Sequence, residues 1–349
     1  MQSKHVLIIE ADQAEDATVE RFTNIITIAH EVVFDKLAPE AVEATKIKVI
    51  LAKDFSQAIN QAWNAQTARN IQGPDFSPER LGGQVIAKTI SMNPEFSEIH
   101  IIFAQDMWMH ESDLGFILNL NTAIHEIAHA LLGRIRWQSG VLSGVIFPSQ
   151  TPSEYARSIT LSAAEEYWVD VLAGLAIGPC ATVSHDDTTR PITPPDLLGE
   201  TGAIYRAQFA TLLDSHIHPG WANEVNRYRH RKQSLEAMWA TIVSGTDQIM
   251  TLLAHCEAEA YFLGRLGPLE DECSDHPGAK LYLGPAWKEI NTLIKDRPLN
   301  PSLEGFAEYE LKLLEVGEKA LIDMWGRLGL TFEEYADRNF HLHVGNPIS

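Results

Sequence analysis

Apolar residues recur at strand spacing in short bursts near the start of this chain and at helical spacing along its middle and end. The pattern predicts a helix from about Asp16 to Leu37 and β-like runs from Ile47 to Ala52 and from Gln84 to Ser91. Ile99 to Ala104, apolar and β-branched, reads as a further strand. An apolar run then extends from Leu114 to Leu132 and reads as a helix, with Ser112 or Asp113 placed to cap its start and Gly133 suited to close it in a left-handed conformation. Arg134 to Pro152 is punctuated by Gly, Ser and Pro, which suggests a loop or a small hairpin. A second helix is expected from Pro152-Ser153 to about Gly178-Pro179.

Ser184 to Gly199 is too polar and Pro-rich for a regular element and marks the main boundary. Beyond it the chain reads as almost entirely helical, with periodic apolar positions in Ala222 to Ile242, Gln248 to Leu263, Ala286 to Ile294 and Leu303 to Leu328. The expected organisation is therefore an α+β domain over 1–183, a Pro-rich linker or loop over 184–200 and a mainly helical region over 201–349.

Composition narrows the class. The 349 residues are 45% hydrophobic, enough for a sizeable core, yet purely apolar runs such as Val6 to Ile9 fall far short of the roughly 18 residues that cross a bilayer. No membrane span is expected, and the start of the chain does not read as a signal peptide, so the expected location is cytoplasmic. Cys180, Cys256 and Cys273 are odd in number and widely spaced, which suits buried thiols rather than a disulfide framework. A net charge of −20 disfavours a nucleic-acid partner, because such binding depends on Lys and Arg meeting phosphates. The one basic run, Arg227 to Lys232, falls in a predicted helix and reads as a solvated or acid-paired face.

The chemistry concentrates in His125-Glu126-Ile127-Ala128-His129. Four residues of separation put both imidazoles on one helical face, where they can bind one zinc ion with Glu126 beside it as general base. A catalytic zinc takes three protein ligands and leaves a position open, so a third ligand is required. In the second helix Glu166 and Asp170 share a face kept small by Ser162, Ala163 and Ala173, so that helix can approach closely. Glu166 would reach the metal and Asp170 would accept the Nδ1 proton of a ligating histidine. Glu165, a step of about 100° away, competes less well for the role. The positions where a metzincin continues with Gly and His hold Leu132 and Ile135, and His185 in the polar boundary segment is an alternative ligand.

His125, Glu126, His129, Glu166 and Asp170 resemble the gluzincins, metallopeptidases in which H-E-x-x-H on one helix is joined by Glu-x-x-x-Asp on the next. More narrowly, 98–178, with the strand Ile99 to Ala104 and Glu166 to Ala173, is similar to the compact ImmA/IrrE-type peptidases. The linker between the two motif helices is longer here. The resemblance implies a zincin-like domain holding one zinc per chain and hydrolysis of peptide bonds in a protein or peptide substrate, with zinc activating the attacking water. An extended peptide would pair with an edge strand, either Ile99 to Ala104 or Gln84 to Ser91.

No oxyanion donor can be assigned among Tyr155, Tyr167, His216 and His218 from sequence. The alternative reading is a zinc-stabilised interaction or sensing module without turnover. Intact Glu126 speaks against it, since a structural site needs no base.

Overall fold

A computed structural model describes residues 5–66, 79–80, 83–109, 113–144, 149–177, 182–185, 188–191, 193–297 and 302–347. The fold is mixed α and β, with a small sheet and several helices. It divides into two compact units, one of Met1–Gly140 with Val169–Leu197 and the other of Val141–Trp168 with Leu198–Ser349. No helix among the described residues is long and apolar enough to cross a membrane.

The first unit is built on β1 (Val6–Ala11), β2 (Lys46–Ala52), β5 (Ala87–Ser91) and β6 (Glu98–Ala104), in the order β1-β2-β6-β5. β1, β2 and β6 run parallel and β5 runs antiparallel to β6. Strand alternation sends the side chains to two faces. On one, Ile90, Met92, Ile102 and Ala52 pack with Phe55, Ile59 and Ala62 of α2 (Phe55–Ala65), a helix capped where the Asp54 carboxylate accepts from the Gln57 amide. On the other, Phe103 meets Phe22 of α1 (Asp16–His30) and Trp108 edge-on, with ring centroids 5.8 and 5.5 Å away. All three rings are almost completely buried, and each contributes on the order of 1.5–3 kcal/mol. α1 continues into a π-helical turn, Glu31–Leu37, which together with it fills the expected span.

α3 (Asp113–Gln138) lies on the same face as α1, against β5 and β6. It runs past Gly133, contrary to the stop read from sequence, because that glycine serves a different purpose. A Cβ there would lie 2.3 Å from Cδ1 of Phe96, so Gly133 makes room for a ring. Beyond it, Arg134 donates to the Glu95 carbonyl and pairs with Glu43, which ties the extra turns to the unit. The left-handed glycine at the helix end is Gly140, with φ +79°. Two short antiparallel strand pairs also belong to the unit: β3 (Glu79–Arg80) with β4 (Gly83–Gln84), and β7 (Thr182–His185) with β8 (Thr188–Pro191).

Regular structure therefore enters the polar stretch expected to be irregular. α5 (Pro194–Leu212) starts on two prolines, which the first turn of a helix tolerates because its amides have no partner within the helix.

α4 (Pro152–Ile177) is one uninterrupted helix that belongs to the second unit up to Trp168 and to the first from Val169. The rest of the second unit comprises most of α5, α6 (Ala222–Arg229), α7 (Leu235–Leu263), α8 (Gly284–Lys295), α9 (Leu303–Arg327) and a hairpin, β9 (Leu330–Glu334) with β10 (Phe340–Val344). Trp239 of α7, Trp325 of α9 and Phe332 of β9 form its aromatic centre, with centroids 4.9 to 6.0 Å apart.

The single helix expected over Ala222 to Ile242 is broken. α6 ends at Arg229, Arg231 takes φ +56°, and Ser234 caps α7 by accepting from the Ala237 amide. The basic run thus lies at a helix end and a turn, exposed, with Arg227 paired to Glu224.

Candidate metal centre

Packing against the sheet selects which face of α3 carries chemistry. Ala123, Ile124, Ile127, Ala128 and Leu131 are buried, and His125, Glu126 and His129 fall on the remaining, half-buried stripe. The two imidazoles converge, with Nε2 of His125 and Nε2 of His129 3.1 Å apart. Nδ1 of His125 is 2.8 Å from Oδ1 of Asp170 on α4. The carboxylate accepts the Nδ1 proton, which fixes the tautomer and turns the Nε2 lone pair toward His129.

Glu166 stands one turn before Asp170 on the same continuous helix, so placing one carboxylate places the other. One donor atom from each of His125, His129 and Glu166 lies within 4.8 Å of the other two, a group that could hold a metal ion. Two imidazoles on a tetrahedral zinc at about 2.05 Å have nitrogens about 3.3 Å apart, close to the separation seen. The donor set fits zinc.

Each sequence-derived site residue, His125, Glu126, His129, Glu166 and Asp170, therefore has a defined place. The structure brings His125, His129 and Glu166 together, with Asp170 behind His125. Glu165 is not part of the donor group among the described residues, and the side chain of His185 lies outside them, as does Cys180. Cys256 and Cys273 are free and buried, and burial pushes both thiols up.

Three neighbours were missed by sequence reasoning. Thr89 of β5 reaches α3, with Oγ1 2.7 Å from Oε2 and 2.9 Å from the main-chain oxygen of Glu126. His255 of α7 places Nε2 3.8 Å from Oε2 of Glu166, and Tyr205 of α5 stacks on it with centroids 4.7 Å apart and planes 11° from parallel. The next residue, Arg206, is buried and bonds to Glu259 one turn after His255, at 3.0 Å, and to Glu272 at 2.6 Å. This ion network fixes α5 to α7 and so holds the stacked pair in register. Only helical phase could have flagged His255, because its i+4 neighbour Glu259 is a buried acid in a helix that otherwise reads as core.

The residues weighed from sequence as oxyanion donors have neighbours of their own. His216 bonds to Ser215, the His218 ring meets that of His276, and Tyr155 packs edge-on against Trp239. Tyr167 is buried, which pushes its phenol up.

β6 is paired on both sides, by β2 and by β5, so Ile99 to Ala104 has no edge to offer a peptide. β5 is the outer strand among the described residues, and of the two strands considered it alone remains available. No protein-family model, no curated protein and no solved structure matches this chain.

Proposed function

We propose that this protein is a zinc-dependent peptidase with a zincin-like site, acting on an extended segment of a protein or peptide. The observation that carries the reading is the arrangement around α3: two convergent imidazoles and Glu166 in one donor group, Asp170 behind His125, and Glu126 next to His125 in the chain. A zinc ion bound there would activate water and polarise the scissile carbonyl.

The chain's own residues then divide the work. Glu126 takes the proton of the attacking water and passes it to the leaving amine, which it can do only because it is not itself a ligand. His255, kept in place by Tyr205 and the Arg206–Glu259 pair, stands 3.8 Å from Glu166 and steadies that carboxylate as a ligand. The substrate main chain pairs along the outer edge of β5. Among the described residues the donor group has three members, and a zinc held by three protein ligands would keep one coordination position for water. This favours turnover over a zinc-stabilised module that binds without cleaving.

The decisive experiment compares the parent chain with Glu126→Gln by metal analysis and by cleavage of a diverse peptide library. The expected result is about one zinc per chain in both proteins, with cleavage only in the parent. Stoichiometric zinc with no cleavage by the parent would establish the interaction module instead.

A further inference from the structure

The register of β5 ties substrate binding to the base. Within the β5–β6 pair, Met92 donates its amide to the Glu98 carbonyl and Ala104 donates to the Ile86 carbonyl. Antiparallel ladders alternate bonded and non-bonded pairs, so the even-numbered residues of β5 bond to β6. The odd-numbered ones turn their amides and carbonyls to the outer edge. Ala87, Thr89 and Ser91 are the odd residues, and the Ser91 carbonyl already accepts from Nε2 of Gln66 at 2.7 Å. Ala87 and Thr89 thus present the outer main-chain groups. Side chains follow the same parity: Ile90 and Met92 pack on the α2 side, and Thr89 faces α3.

We infer that Thr89 is a positioning residue for the general base, coupling the peptide-binding edge to Glu126. This rests on the peptidase reading above. A hydroxyl has one proton to give, and here two oxygens of the same glutamate stand within its reach, Oε2 at 2.7 Å and the main-chain oxygen at 2.9 Å. The proton given to Oε2 fixes the carboxylate and leaves Oε1 to face the attacking water. Oε2 stays an acceptor whether or not Oε1 carries a proton, so the bond from the hydroxyl holds the carboxyl group through the proton's arrival and departure. A peptide paired to the amide and carbonyl of Thr89 stiffens the residue that holds the base, so productive alignment and strand pairing occur together.

The test uses the zinc-loaded full chain with Thr89→Val, which keeps the shape and removes the hydroxyl, and Thr89→Ser, which restores it. The expected result is a kcat reduced about 10- to 100-fold in Thr89→Val with KM and zinc content unchanged, and recovered to within about threefold in Thr89→Ser. An unchanged kcat in Thr89→Val overturns the inference, and so does loss of zinc, which would give the hydroxyl a merely structural part. A crystal structure of zinc-loaded Thr89→Val supplies a readout independent of turnover: the Glu126 carboxylate should leave its single position, and a carboxylate that stays put also refutes the idea. Should the parent cleave nothing while Thr89→Val releases the carboxylate, the positioning role stands and the peptidase reading falls.

Discussion

Replacing Asp170 by Ala tests whether the donor group is assembled for a metal. The change removes the acceptor that lies 2.8 Å from Nδ1 of His125, in a pair whose side chains are 16% and 18% exposed. Hydrogen bonds to a charged group contribute about 1.5–3 kcal/mol, and at about 1.4 kcal/mol per tenfold this corresponds to zinc bound about 10- to 100-fold more weakly. The loss should sit in zinc affinity, because without Asp170 the imidazole can choose the wrong tautomer or rotate off the metal. Asp170→Asn keeps an acceptor in nearly the same place and gives up only the charge, so its defect should be the smaller, about threefold to tenfold. Competition against a chelating indicator measures both. If Asp170→Ala bound zinc within about twofold of the parent while Glu166→Ala lost it, the carboxylate would have no part in orienting His125.

Other expectations follow from single contacts. Gly133→Ala forces a methyl group into the Phe96 ring and should lower stability by about 1–3 kcal/mol in denaturant titration, with much of the loss recovered in the double variant carrying Phe96→Ala. His255→Ala removes the ring beside Glu166 and should weaken zinc binding about 10-fold, and an unaltered affinity would give that ring no part in holding the ligand.

The pH dependence of stability has a defined sign at Glu154. The Arg338 guanidinium, with help from the Gln150 and Thr151 amides, holds this carboxyl at about 2 instead of its usual 4.5. A depressed carboxylate stabilises above its unfolded value and loses that contribution as pH falls through its folded one. Unfolding between about pH 4.5 and 2 should therefore show a steeper loss in the parent than in Glu154→Gln, and equal slopes would refute the assignment.

The site was legible in sequence because its signals are local. H-E-x-x-H and Glu-x-x-x-Asp each occupy one turn of helix, and helical phase alone puts their members on common faces. What escaped depends on residues distant in sequence. Thr89 comes to Glu126 only through sheet order, and His255 comes to Glu166 across 89 positions of chain that reads as ordinary core. The fold shows the same division. β2, β6 and α4 match their runs closely, whereas β1 hides in the short apolar segment Val6 to Ile9 and becomes a strand through its parallel pairing with β2. Gly133 misled because a glycine needed for the approach of Phe96 cannot be told apart, in one sequence, from one needed for a left-handed turn.

Among the described residues β5 is the outer strand, and the rim proposed to take a substrate would carry a liability too. Main-chain groups at Ala87 and Thr89 that would receive a substrate strand are equally suited to receive the same strand of another copy, since hydrogen bonding along a backbone does not distinguish the two. At high protein concentration, self-association through this rim and occupancy by substrate should therefore compete. A short extended peptide that blocks one would then disperse the other, and the colloidal behaviour of the protein would report how far the rim is occupied.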